Sequence, residues 1–170
     1  GGAFYVFNIP KWNIIIANHL SQKLNFRHWV AVDLTMSMPI HGKLYPAHYA
    51  LLYFVKGDKA NIFNPPRTPI STCKKCGKET KDYGGYKKKM KVDGINLRDI
   101  WYDIPPVRHP TAKNRQANEL HITLMDRILD ISTISGSLIC DPFGGSGTTY
   151  AAAELKGRKW LGIEAGDCEP

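Results

Sequence analysis

Near its C-terminal end the chain carries Leu138-Ile139-Cys140-Asp141-Pro142-Phe143-Gly144-Gly145-Ser146-Gly147-Thr148-Thr149, running into Ala151-Ala152-Ala153-Glu154-Leu155. The apolar run, the Asp and the glycine-rich segment predict a buried parallel strand, a tight turn and the first turns of a helix. Such a turn is a ligand cradle. Glycines let the main chain take positive φ and let a ligand lie against bare backbone, while the helix that follows aims its free N–H groups at the same place.

Absences narrow the ligand. A phosphate-binding loop needs Lys-Ser/Thr after its last glycine, and here Gly147 is followed by Thr148 and Thr149. The dinucleotide fingerprint needs a third glycine where Tyr150 stands, so a nicotinamide or flavin cofactor is not expected. Asp141 would repel phosphate but suits a cationic ligand. About twenty residues on, Lys159-Trp160-Leu161-Gly162-Ile163-Glu164 predicts a second strand ending in a carboxylate, which can accept both hydroxyls of a ribose. A ligand with a cationic amino acid end and a ribose is S-adenosylmethionine.

The run from Asp141 to Thr149, the helix-like Asn118-Glu119-Leu120 before it and Gly162-Ile163-Glu164 after it together resemble the amino DNA methyltransferases. That family methylates the exocyclic nitrogen of adenine or cytosine, and Phe143-x-Gly145-x-Gly147 matches its cofactor motif. The resemblance implies an α/β, Rossmann-like S-adenosylmethionine-dependent methyltransferase fold. It assigns Asp141, Pro142, Phe143, Gly144, Gly145, Ser146, Gly147 and Thr148 to the methionine end of the cofactor, Glu164 to the ribose, and places Asn118 at the start of a helix beside the methionine end. The competing reading is a glycine turn between strand and helix in some other α/β protein; the ordered succession of strand, acid, glycines, helix and second acid disfavours it.

A chain of 170 residues suffices for one domain, and its 43% hydrophobic and 22% charged residues are ordinary for a water-soluble protein. Its longest apolar run falls short of a membrane span and no basic-then-apolar leader opens it, so a cytoplasmic setting is the default expectation. The net charge of +8 is localised: residues 56–116 hold 15 Lys and Arg against 6 Asp and Glu, leaving the remainder slightly acidic. A localised basic stretch is the footprint expected for a polyanion, here double-stranded DNA, because neutralising phosphates releases counterions. A merely solvated lysine-rich loop is the plainer alternative.

In chain order, Ala3-Phe4-Tyr5-Val6-Phe7-Asn8 predicts a strand apolar enough to want neighbours on both sides. Pro10 then starts a helix whose apolar face is read as Ile14, Ile15, Ala17, Leu20 and Leu24. Residues 27–35 and 48–56 read as two further strands, which fit the antiparallel pair of the resembled family. His41 and His48 lie around the connection between them, and bonding to main chain is favoured over catalysis or metal binding for each. Residues 57–116 lose hydrophobic periodicity and are read as an irregular basic insertion within one partial methyltransferase domain, 1–170. Tyr83, Tyr86, Trp101 and Tyr102 argue against a disordered linker there. Tyr86 beside Lys87-Lys88-Lys89 could stack on bases while the lysines hold phosphates, or could anchor the loop to the core. By resemblance, a variable segment here helps recognise the target sequence.

Cys73-Lys74-Lys75-Cys76-Gly77 has the spacing of half a zinc knuckle. Zinc wants four ligands, and Cys140, placed in a buried strand, and Cys168, at the chain end, are not free to help. Either histidines such as His109 complete the site, or chain beyond these residues does, or no site exists.

Asp103-Ile104-Pro105-Pro106 imitates the family's catalytic motif without matching it. That motif is an Asp, Asn or Ser followed directly by Pro-Pro and an aromatic, whereas Ile104 intervenes here and Val107 replaces the ring. The acid would be out of register and the base-stacking ring is gone, so the catalytic residues are unknown. A helix beginning at Asn118, with Leu120, Leu124, Ile128 and Leu129 on its apolar face, leads to the cofactor strand.

The resembled family includes a permuted group ordered catalytic motif, target recognition, cofactor motif. This chain matches the second and third parts, so the resemblance implies an incomplete central sheet with its gap between the cofactor strand and the opening strand, filled by another chain or segment that supplies the catalytic strand. A non-catalytic nucleic-acid-binding module on the same fold is the alternative from a different class.

Overall fold

The computed structural model describes residues 1–33, 39–79, 81–82, 84–105 and 119–165. Strand β1 (Ala3–Asn8) leads into helix α1 (Pro10–Leu20), which Pro10 starts because its missing N–H would have been unpaired there in any case. Strands β2 (Asn25–Asp33) and β3 (His48–Val55) follow. Both pair antiparallel to neighbours: β1 runs Ala3 against Val55 to Asn8 against Ala50, and β2 runs Asn25 against Val55 to Asp33 against His48, with a bulge between Phe26 and His28. β3 is therefore the middle strand, and from Ala50 to Val55 it is wholly buried. A run of apolar residues with no alternation is what a strand covered on both faces requires.

The basic segment is mostly irregular, with β4 (Arg67–Thr68) paired to β5 (Ile95–Asn96) and helix α2 (Lys87–Asp93) between them. It returns to the body at β6 (Ile100–Trp101), which pairs parallel to β2 and completes a four-stranded sheet ordered β1-β3-β2-β6. Trp101 and Ile104 enter the core there. Asp103 turns both carboxylate oxygens onto Arg127, at 2.9 and 2.7 Å, and that guanidinium holds the carboxyl below the ordinary carboxylate range. It acts as a tether, consistent with its departure from the catalytic pattern.

Helix α3 (Ile122–Ser132) joins the parts. Leu124, Met125, Ile128, Leu129 and Ile131 are buried along one stripe and pack in one cluster with Val30, Val32 and Leu51 of the sheet and with Ala152 and Ala153 of helix α4 (Thr148–Leu155). Burying each larger side chain contributes about 1.5–3 kcal/mol. The helix begins later than its sequence implied: His121 is its N-cap, its Nδ1 accepting from the Thr123 N–H at 3.2 Å. Asn118 lies outside the described residues. Strand β7 (Leu138–Asp141) and strand β8 (Lys159–Gly162) flank α4 and pair parallel, with Asp141 opposite Gly162.

The two sheets are not hydrogen-bonded to each other among the described residues; β1 and β7 are each paired on one edge only. Where the break was expected, no ladder joins β7 to β1 among the described residues; β6 and β8 form the other edges of the two sheets. Two burial expectations fail. Leu138 is 67% exposed and Cys140 is exposed, so β7 is not a buried strand. In α1 the sheet-facing residue is Asn13, whose amide donates to the Ala50 carbonyl at 2.6 Å, while Ile14 and Ile15 are 64% and 60% exposed. The isoleucines sit about 100° and 200° round the helix from Asn13, which turns them away from β3.

Burial raises the Tyr5 hydroxyl above its ordinary value, and Tyr53, stacked on it at 4.7 Å, is raised for the same reason. In the unfolded chain tyrosine ionises near pH 10, so this contribution to stability is complete below that pH and is lost as pH rises above it. Urea denaturation from pH 9 to 11.5 is expected to show stability falling above about pH 10, with a shallower fall in Tyr5→Phe; parallel curves for the two proteins would contradict the assignment.

Candidate functional site

The glycine turn lies where β7 ends. Gly145 and Gly147 take φ of 52° and 79°, the left-handed region that costs an L side chain about 1–2 kcal/mol. The Asp141 side chain accepts the Phe143 N–H at 3.0 Å, closing the chain on itself as an Asx-turn, and Gly147 N–H returns to the Gly144 carbonyl at 2.8 Å. Gly147 is the N-cap of α4 and offers no side chain, so the first amides of that helix face the turn without a side-chain cap.

The end of β8 folds over the same place. Ile163 N–H donates to the Asp141 carbonyl at 3.1 Å, Gly144 N–H to the Ile163 carbonyl at 3.0 Å, and Gly145 N–H to the Glu164 carboxylate at 2.5 Å. Two carboxylates from the carboxyl ends of adjacent parallel strands, Asp141 and Glu164, therefore flank a glycine turn that feeds a helix and exposes Phe143 and Gly145 while burying Gly144. Phe143 stands beside them 86% exposed. A parallel pair opening in this way is where α/β sheets bind ligands. The donor set suits a ligand with a cationic end and vicinal hydroxyls, and does not suit a phosphate.

Sequence reading placed Asp141, Pro142, Phe143, Gly144, Gly145, Ser146, Gly147, Thr148 and Glu164 at one site, and the fold brings all of them to this turn. Thr148 faces inward as well. Its hydroxyl donates to the Leu120 carbonyl at 3.2 Å and lies 3.0 Å from the Ser146 hydroxyl. The segment leading into α3 is thereby fastened to the turn.

Tyr150 was legible only as a missing glycine. Its ring occupies the space between helix and strand that a dinucleotide fold leaves to backbone contact. A Cβ on Gly144 would lie 2.1 Å from its hydroxyl oxygen, and one on Gly162 would lie 2.2 Å from its Cζ. The ring stacks on Trp160 at 4.7 Å and the hydroxyl donates to the Asp141 carbonyl at 2.9 Å. The third glycine has in effect moved to the strand, and Gly162 makes room for the ring.

The other expected groups lie elsewhere. Lys88 and Lys89 are exposed on α2, while Lys87 and Lys91 share Glu79 at 3.1 and 2.9 Å. Tyr86 precedes α2 and is 64% exposed, so it does not anchor the loop to the core. Cys73 and Cys76 are both exposed, and amides of Cys76 and Lys75 hold the Cys73 thiol below its ordinary value. Among the described residues no cluster of three or more His, Cys, Asp or Glu could hold a metal ion, and His109 and Cys168 lie outside them. His41 and His48 are exposed. No helix among the described residues is long and apolar enough to cross a membrane.

The profile of the DNA methylase family matches residues 1–168. The chain belongs to that family. It is 55% identical over 169 residues to the type II methyltransferase M.BamHI of Bacillus amyloliquefaciens, covering 99% of this chain and 40% of M.BamHI. It is 26% identical over 176 residues to M1.MboII of Moraxella bovis, covering 96% of this chain and 67% of that protein. Among solved structures, the M1.HpyAVI–SAM complex superposes with a TM-score of 0.65 at 22% identity, covering 98% of this chain and 69% of that one. The cytosine-N4-specific PvuII DNA methyltransferase superposes with a TM-score of 0.58 at 20% identity, covering 97% and 60%. These likenesses give the fold, the mixed α/β methyltransferase architecture expected from the motifs. The chain spans about two fifths of the length of M.BamHI.

Within this DNA methylase chain the Tyr150 slot is a packing constraint on the turn. Gly162→Ala is expected to destabilise the chain by about 1–3 kcal/mol in urea denaturation. In a Tyr150→Ala background the same substitution should cost much less, and an equal cost in both backgrounds would show that the ring and the glycine are not coupled.

Proposed function

We propose that this chain forms the cofactor-binding and DNA-facing portion of an enzyme that methylates the exocyclic amino group of adenine or cytosine in double-stranded DNA. The observation that carries this is the pair of carboxylates, Asp141 and Glu164, set around the glycine turn at the open end of two parallel strands. That donor set fits S-adenosylmethionine. Bound there, the cofactor supplies a methyl group on a sulfonium.

The chain's own residues bind and orient. Asp141 faces the positively charged amino acid end, with the turn 143–148 giving it bare backbone, and Asn118 is proposed beside it. Glu164, which accepts the Gly145 N–H with one oxygen, would hold the ribose hydroxyls. Such fixing of the methyl donor makes transfer to a positioned nitrogen effectively unimolecular. The residues that orient the target nitrogen are proposed to come from a strand outside these 170 residues, entering between the open edges of β1 and β7. The target base must leave the duplex to reach that place. Lys87, Lys88, Lys89 and Tyr86 are proposed to meet DNA, the lysines at phosphates and the ring against a base or sugar.

Isothermal titration with S-adenosylhomocysteine tests the cofactor reading. Saturable binding is expected, weakened at least tenfold, about 1.4 kcal/mol, by Asp141→Ala. A folded chain that binds no cofactor, including when extended at its N-terminus, would overturn it. For the DNA reading, replacing Lys88 and Lys89 by alanine should weaken binding to duplexes of any sequence and reduce the slope of log affinity against log salt by about two. An unchanged slope would remove α2 from the interface.

A further inference from the structure

The Cys73–Cys76 loop is more ordered than an exposed lysine-rich segment needs to be. Thr72 and Glu79 form an antiparallel bridge across it, the Cys73 N–H donates to the Lys78 carbonyl at 2.8 Å, and the Gly77 N–H donates to the Cys73 carbonyl at 2.8 Å. Gly77 takes φ of 66°, which lets the chain reverse directly after the second cysteine. Both cysteines are thus exposed on one closed, hydrogen-bonded turn.

We propose that this turn is a two-thiolate half-site for a soft divalent cation of the zinc class. Spacing and turn are those of a knuckle whose two cysteines share a tetrahedral ion. The nearest carboxylate along the hairpin, Glu79, is occupied by Lys87 and Lys91 and does not make the site a hard, oxygen-rich one. Lys74, Lys75 and Lys78 supply positive charge that offsets the negative charge of a metal–thiolate centre. No third ligand stands beside the pair among the described residues. The remaining two positions are filled either by oxygen or nitrogen donors or by the same pair from a second copy of the chain; the two thiolates are common to both.

Cobalt(II) titration of the reduced full chain tests this, because thiolate ligation gives a near-ultraviolet charge-transfer band that is independent of any enzymatic activity. A saturable band, bleached by zinc, lost in Cys73→Ser and in Cys76→Ser and kept in Cys140→Ser, is the expected result. Saturation at one cobalt per chain identifies oxygen or nitrogen co-ligands. Saturation at one cobalt per two chains, with twice the intensity per metal and a dimer in sedimentation, identifies the second copy. A folded, reduced chain that shows no such band, or a band that survives in both serine variants, would overturn the proposal.

Discussion

The fold depends on the apolar stripe of α3. One side of the molecule is a four-stranded sheet and the other a two-stranded parallel pair with its helix, and no backbone ladder joins them among the described residues. What joins them is side-chain packing: Leu124, Met125, Ile128, Leu129 and Ile131 share one cluster with the strands on one side and with α4 on the other. Hydrophobic contact is non-directional, so it can hold two sheets at a fixed spacing with no strand between them. The site inherits this arrangement, because the segment leading into α3 brings the Leu120 carbonyl to the Thr148 hydroxyl.

At the turn, conformation and chemistry rest on the same glycines. Gly145 and Gly147 supply backbone angles that side chains resist, while Gly144 and Gly162 supply volume for Tyr150. The first pair leaves the backbone of the turn without side chains; the second lets an aromatic ring brace the turn from beneath. Asp141 serves both ends, its carboxylate closing the turn and its carbonyl receiving Tyr150 and Ile163.

The basic middle of the chain is organised by a few local devices. Glu79 gathers Lys87 and Lys91, leaving Lys88 and Lys89 exposed, and the short β4–β5 pair closes the segment before Trp101 returns it to the core. A seven-residue helix with no buried side chain would not persist alone. Its position is owed to the flanking hairpin and to the ion pairs, which are worth little each at an exposed surface.

The sequence by itself determined the order of strand, acid, glycine turn, helix and second acid, because local backbone preference and hydrophobic period act within a few residues of one another. Asp141 and Glu164 were legible for that reason, and so were strands β2 and β3, whose antiparallel pairing was expected from the family resemblance. Only the tertiary structure decided which side of each element is covered. Ile14 and Ile15 promised a buried face, yet Asn13 took it, since its amide could reach the Ala50 carbonyl. Leu138 and Cys140 read as core and are exposed, since burial of a central strand depends on neighbours that no local pattern encodes. Tyr150 read as a fault in a glycine motif, and its slot became visible once Gly162, twelve residues later, was folded against it.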